Sequence, residues 1–232
     1  MNTKIYCDIA DYDQIKKYSK DSLVKGFTTN PSLMRKAGAR DYKKYAIKIL
    51  SITNKPLSLE VFADDMKGIT KQAYIINKWG KNVYVKIPVT NSKGKFTGKV
   101  IKELNHKKIK LNITAIYSFE QVKKIVRCIQ TTSPVIISIF AGRMSDTGIN
   151  PIPIFKKSIA LVKKKKNIQI LWASTREPYN FLQAKDLKCN IITMPPKIID
   201  QIKIFGKSST QLTLETIKGF LNDSKSSKFY LK

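Results

Sequence analysis

The chain has 232 residues, 42% of them hydrophobic, and a formal net charge of +28. That length suits one large α/β domain or two small ones and can bury a sizeable core. Three widely spaced cysteines (Cys7, Cys128, Cys189) and a lone histidine, His106, argue against a disulfide framework, a zinc site and a Ser-His-Asp triad.

Lys4 to Ile9 reads as a first strand, and Asp11 offers an N-cap for a helix through about Lys20. Leu23 to Thr28 is a second strand, ending in Thr29-Asn30-Pro31-Ser32, where Pro31 suits a first helical turn. Asp41 to Ser51 has helical spacing and stops before Pro56. Leu57 to Phe62 is a third strand containing Glu60, and Asp64-Asp65 open a helix that runs to about Trp79. Asn82 to Pro88 is a fourth strand with Lys86 set inside it. A polar loop from Gly94 to Gly98 leads to a short helix, Lys99 to His106. Lys110 to Ile116 is the fifth strand, followed by a capping-box helix start at Ser118 and Gln121. Pro134 to Phe140 is the sixth strand. A Gly/polar loop from Ala141 to Pro153 and a helix to about Lys166 follow it. Ile168 to Ala173 is the seventh strand, Glu177 to Asp186 a helix, and Asn190 to Met194 the eighth strand. A helix starts at Lys197. An amphipathic helix from about 209 to 221 precedes a loose Ser/Lys tail, 222–232.

Strand-helix units repeated in this way close into a barrel or lie in an open doubly wound sheet. The lack of a Gly-rich dinucleotide fingerprint favours the barrel. The expected fold is therefore a single (β/α)8 TIM barrel over residues 1–232, with an extra C-terminal helix. Met1 to Ile5 holds no apolar leader and no run reaches membrane-spanning length, so the chain reads as soluble and cytoplasmic, with no membrane partner. The lysines are spread along the whole chain, and aromatics do not interleave with them as a base-stacking platform requires. The charge reads as solvated helix faces that attract phosphorylated small molecules. A basic nucleic-acid-binding protein is the remote alternative.

In such a barrel the site lies at the C-terminal ends of the strands. The polar residues there are Asp8, Asn30, Glu60, Lys86, Asn112, Thr114, Ser138, Arg143, Ser174 and Arg176. Each has a plain structural explanation: Asp8 as a helix cap, Asn30 as a turn residue, Glu60 as an ion-pair partner of Lys86, Lys86 as a lysine that snorkels to water. Taken together they supply a lysine nucleophile, two carboxylates for proton transfer, amides and hydroxyls for sugar oxygens, and two arginines for an anion. That set suits carbon–carbon bond chemistry on a phosphorylated ketose.

The motifs Gly26-Phe27-Thr28-Thr29-Asn30-Pro31-Ser32-Leu33, Val85-Lys86-Ile87-Pro88-Val89-Thr90, Leu111-Asn112-Ile113-Thr114-Ala115, Ser138-Ile139-Phe140-Ala141-Gly142-Arg143 with Asp146-Thr147-Gly148, and Ala173-Ser174-Thr175-Arg176 occur in one order along the chain. On these the chain resembles transaldolases, in the short subfamily that also includes fructose-6-phosphate aldolases. The resemblance implies a Schiff base on Lys86 with the ketose C2, and Asp8 as the group handling the C4 hydroxyl proton. It implies that Glu60 acts through a water shared with Thr114. Thr29, Asn30, Asn112, Ser138 and Phe140 would line the substrate site, and Arg143, Ser174 and Arg176 would bind the terminal phosphate. It also implies no metal, no cofactor, and a homo-oligomer, pentamer or decamer, with the C-terminal helix at a subunit interface. Glu60 and Phe140 match the transferring members, where the aldolases usually carry Gln and Tyr. Cys7-Asp8-Ile9-Ala10 departs from the usual Leu-Asp-Thr-Ala start, and Ile139 stands where proline is common. The implied activity is transfer of a dihydroxyacetone unit from a ketose phosphate, of the sedoheptulose 7-phosphate or fructose 6-phosphate type, to an aldose phosphate. The alternative in the same chemistry is an aldolase of the fructose-6-phosphate type that releases free dihydroxyacetone.

Overall fold

The computed structural model describes residues 3–227. Strands and helices alternate from the start: β1 (Lys4–Asp8), α1 (Tyr12–Lys20), β2 (Val24–Thr28), α2 (Pro31–Lys36), α3 (Tyr42–Leu50), β3 (Leu57–Glu60), α4 (Met66–Asn77) and β4 (Val83–Pro88). Next come α5 (Gly98–His106), β5 (Leu111–Ile116), α6 (Phe119–Cys128), β6 (Val135–Phe140), α7 (Ala141–Ser145), α8 (Ile152–Val162), β7 (Ile168–Ala173), α9 (Tyr179–Asp186), β8 (Ile191–Met194), α10 (Pro196–Ile202) and α11 (Ser209–Ser227). The strands pair in parallel, each with its neighbours in sequence, and β1 pairs with β8. The sheet is a closed barrel, as the sequence predicts.

Helix starts follow the expected caps. The side chains of Asp11, Asn30, Asp41, Asp65 and Ser118 each accept a bond from a first-turn backbone N–H. At Ser118 the reciprocal bond is also made, with the Ser118 backbone N–H donating to the Gln121 side chain. Two expectations are corrected. The stretch after β6 is not all loop, because Ala141–Ser145 forms the short helix α7. The last helix does not stop near Leu221 but continues to Ser227, with residues 228–232 outside the described part. No described helix is long and apolar enough to cross a membrane.

Successive strand side chains alternate between two destinations. In β4, Val83, Val85 and Ile87 pack outward into the main core under the helices. Tyr84 and Lys86 face the barrel interior. The lower interior is filled by Tyr6, Ile136, Leu171 and Ile191, with Tyr84 packed against them. Gly26 makes room for this plug, since a Cβ there would lie 2.6 Å from the Tyr6 ring. The inward positions nearer the C-terminal ends are polar instead: Asp8, Thr28, Lys86, Asn112, Thr114, Ser138 and Thr193. The apolar plug below and the polar layer above create a cleft with a closed floor.

Candidate active site

The cleft at the C-terminal end of the barrel has a volume of about 310 Å³. Register levels its central residues, with Glu60 paired to Lys86 and Lys86 to Asn112 across β3, β4 and β5. Lys86 is only 7% exposed. Its Nζ donates to the Thr29 carbonyl at 3.0 Å and lies 3.0 Å from Glu60 Oε2. The lysine therefore does not snorkel to the rim. It is held at the bottom of the cleft by one carbonyl and one carboxylate, the pairing that a buried ammonium needs.

Asp8, at the end of β1, stands on the facing wall. Burial pushes its carboxyl above the ordinary carboxylate range, while the Lys86 charge and a Thr28 hydrogen bond pull the other way. Thr28 Oγ1 donates to Asp8 Oδ1 at 2.6 Å and meets Thr193 Oγ1 at 2.5 Å. With the single Thr28 proton given to Asp8, Thr193 is the donor in that second contact. Thr175 Oγ1 in turn donates to the Thr193 carbonyl at 2.7 Å. A chain of hydroxyls thus fixes the orientation of Asp8.

On the opposite side, Ser138 Oγ donates to Asn112 Oδ1 at 2.7 Å, and Asn112 Nδ2 donates to Ser58 Oγ at 2.9 Å. These two bonds tie the Asn112 amide to hydroxyls on both sides. Thr114 Oγ1 is buried and has no partner among the described residues, leaving its hydrogen-bonding capacity to the cleft. The next residue, Ala115, takes a left-handed backbone (φ 60°), and the β5–β6 register slips between Ile113 and Ile116. Thr114 itself faces inward by the same period of two as Asn112.

Asn30 lines the cleft while its Oδ1 caps α2 on Leu33 N, so the amide nitrogen is the part left for a ligand. Thr29 sits differently: it is fully buried, its hydroxyl is bound to the Ser58 carbonyl at 2.7 Å, and only its backbone carbonyl reaches Lys86. At the rim, Phe140 packs edge-on to Tyr117 and lies under Arg143, whose guanidinium is 5.6 Å from the ring centre. Arg143 makes no ion pair among the described residues. Ser174 also takes a left-handed backbone (φ 65°). A Cβ on Gly142 would come within 1.7 Å of the Ser174 carbonyl oxygen, so only glycine lets the turns after β6 and β7 meet. Arg176, across that contact, is held by Asp146 at 2.6 Å.

The structure brings Asp8, Asn30, Lys86, Asn112, Thr114, Ser138, Phe140, Arg143, Ser174 and Arg176 to one cleft, with Glu60 reaching it through Lys86. Sequence reasoning missed Ser58, Thr28 and Thr193. Hydroxyls inside strands look like ordinary strand formers, and only the period of two, counted back from Glu60, Asn30 and Pro195, marks them as inward.

The family model described as Transaldolase/Fructose-6-phosphate aldolase matches residues 5–231. A protein of Caldicellulosiruptor saccharolyticus named "Probable transaldolase" is 32% identical over 222 residues, covering 95% of this chain and 96% of that one. A "Probable transaldolase" of Methanococcus maripaludis is 32% identical over 213 residues, covering 91% and 94%. Among solved structures, 2-keto 3-deoxygluconate aldolase from Picrophilus torridus superposes with a TM-score of 0.61 at 13% identity, covering 100% of this chain and 89% of that one, a likeness of fold alone.

Proposed function

The chain belongs to the transaldolase/fructose-6-phosphate aldolase family, and we propose that it moves a dihydroxyacetone unit from a ketose phosphate to an aldose phosphate through a Schiff base on Lys86. The observation that carries this reading is the placement of Lys86. Its amine is buried at the closed end of the cleft, 3.0 Å from one carboxylate, with a second carboxyl group on the facing wall.

In this chemistry the Lys86 amine, having lost its proton, adds to the C2 carbonyl, and Glu60 is placed to take and return protons as the carbinolamine loses water. Thr114, with its free hydroxyl, is suited to hold that water. Asp8 then takes the C4 hydroxyl proton. The C3–C4 bond breaks, its electron pair moves into the protonated imine to form an enamine, and the aldose phosphate leaves. An acceptor aldehyde reverses these steps. The burial that raises the Asp8 pKa suits a base working nearer neutral pH. The Asn112–Ser138 pair and Asn30 offer donors and acceptors for the dihydroxyacetone hydroxyls, and Arg143 and Arg176 offer cations for the phosphate.

Borohydride trapping with fructose 6-phosphate, followed by peptide mass mapping, tests the mechanism. A reduced adduct on Lys86 is expected, and a trapped adduct elsewhere, or none with a panel of ketose phosphates, overturns it. Glu60 and Phe140 favour transfer over the aldolase reading. Steady release of dihydroxyacetone without an acceptor would reverse that preference.

A homo-oligomer built through the C-terminal helix is part of the same proposal. No residue of α11 is buried, and Leu212, Leu214, Ile217, Phe220 and Leu221 are each more than half exposed. A helix this apolar needs a partner surface. Light scattering on the full chain and on one ending at Ser208 checks this: the full chain should be larger than a monomer and the shortened one should not assemble in the same way.

A further inference from the structure

Arg176 is the most constrained long side chain at the rim. Its Nε donates to both Asp146 oxygens, at 3.0 and 3.1 Å, and its Nη2 donates to Oδ2 at 2.6 Å. Its Nη1 donates to the Ser174 carbonyl at 3.2 Å. The backbone is fixed as well, since Arg176 N donates to Asn180 Oδ1 at 3.0 Å. A guanidinium has five N–H hydrogens in one plane. Asp146 takes the one on Nε and one on Nη2, and Ser174 takes one on Nη1. One hydrogen on each terminal nitrogen remains, and Arg176 itself lines the cleft.

We propose that Asp146 is a positioning residue of the phosphate subsite: it locks Arg176 by one edge so that the remaining terminal N–H pair is presented, already oriented, to a phosphate monoester. The inference rests on the phosphate-binding reading of Arg143 and Arg176 given above. Asp146 and the ligand use different hydrogens of the same guanidinium, so they do not compete for it. The carboxylate also reduces the local charge of the two arginines from +2 to +1. Its contribution is therefore geometric: an arginine already in its bound rotamer loses little side-chain freedom when the phosphate arrives. The meeting of the β6 and β7 turns at Gly142 and Ser174 is what brings a residue at the end of α7 against one beyond β7.

The test uses inorganic phosphate as the probe, titrated by calorimetry into the full-length protein, together with kcat and KM for fructose 6-phosphate. Asp146→Ala, Arg176→Ala and the double variant are compared with wild type. The carboxylate is about half exposed, so the fold should tolerate its loss, and circular dichroism verifies this. If Asp146 positions Arg176, Asp146→Ala weakens phosphate binding and raises KM by roughly tenfold while changing kcat little, and adds nothing in the Arg176→Ala background. Unchanged or tighter phosphate binding in Asp146→Ala, with Arg176→Ala weakened, overturns the positioning role and leaves the phosphate reading intact. The same loss from Asp146→Ala in both backgrounds also overturns it, because the effect then does not pass through Arg176. Normal phosphate binding by Arg176→Ala overturns both the positioning role and the assignment of Arg176 to the phosphate.

Discussion

Two ion pairs sit at opposite depths of one cleft. Lys86–Glu60 lies at the closed end, with side chains 9% and 16% exposed, and Arg176–Asp146 lies at the rim, with 46% and 48%. Depth separates their roles. At the closed end neither partner can turn to water, so each is the other's solvation and removing one leaves a stranded charge. At the rim water screens the pair, which adds little to stability. What it provides there is a fixed direction for Arg176. In the proposed reading, reactivity is therefore built where charge is expensive, and recognition where charge is cheap and geometry is the scarce quantity.

Lys86→Met is the most severe test of this contrast. Turnover should fall by a factor on the order of 10³ or more, because the proposed nucleophile is gone. Unfolding in denaturant should show a loss of about 2–4 kcal/mol from the stranded Glu60. Adding Glu60→Gln should recover most of that stability and none of the activity; no recovery would mean that the two groups are not each other's compensation.

Asp8→Asn separates catalysis from stability at the same depth. kcat should drop by about 10²–10⁴ as the proposed proton acceptor is lost. The stability effect has the opposite sign and depends on pH. Burial raises the folded-state pKa of Asp8, so the native protein keeps this proton at pH values where the unfolded chain has released it. Its contribution is fully present below the ordinary carboxylate value, about 4, and declines as pH rises through the raised folded value. The unfolding free energy of wild type relative to Asp8→Asn should therefore decline from about pH 4 upward. A difference that stays flat would contradict the burial argument.

Gly142→Ala probes the joint on which the rim depends. The added methyl group meets the Ser174 carbonyl, so thermal unfolding should register a loss of about 1–3 kcal/mol, and phosphate affinity should fall with it. If the variant is as stable as wild type, the two turns are not held by that approach. The smallest expected effect is at the rim pair itself, where Arg176→Ala should shift unfolding by less than about 1 kcal/mol. A larger loss would move this pair into the class of the buried one.

The barrel was legible because its strands are Val/Ile-rich runs and its helix starts carry Asp, Asn or Ser in capping positions, both local signals. Most of the cleft was legible for a related reason: Asp8, Glu60 and Lys86 are costly residues inside apolar strands, and cost makes a residue conspicuous. What escaped notice was cheap or non-local. Ser58, Thr28 and Thr193 cost little in a strand, yet they orient Asn112 and Asp8. The left-handed backbones at Ala115 and Ser174 carry no glycine to announce them. The Asp146–Arg176 lock joins residues on separate turns and depends on how those turns pack. The helical end of α11 was missed because a Ser/Lys-rich stretch has low intrinsic order, so its extension to Ser227 is not written in local propensity.

The tyrosine-and-aliphatic plug under the polar layer has a kinetic consequence. Among the described residues, Tyr6, Tyr84, Ile136, Leu171 and Ile191 pack across the barrel beneath the cleft, so the cleft opens at the C-terminal end of the strands. In the proposed transfer, the departing aldose phosphate and the incoming acceptor must take turns through it, and both need the same arginines on the way. The enzyme should therefore hand its three-carbon cargo over in strict alternation, with parallel lines in double-reciprocal plots and with each sugar phosphate obstructing the passage of the other.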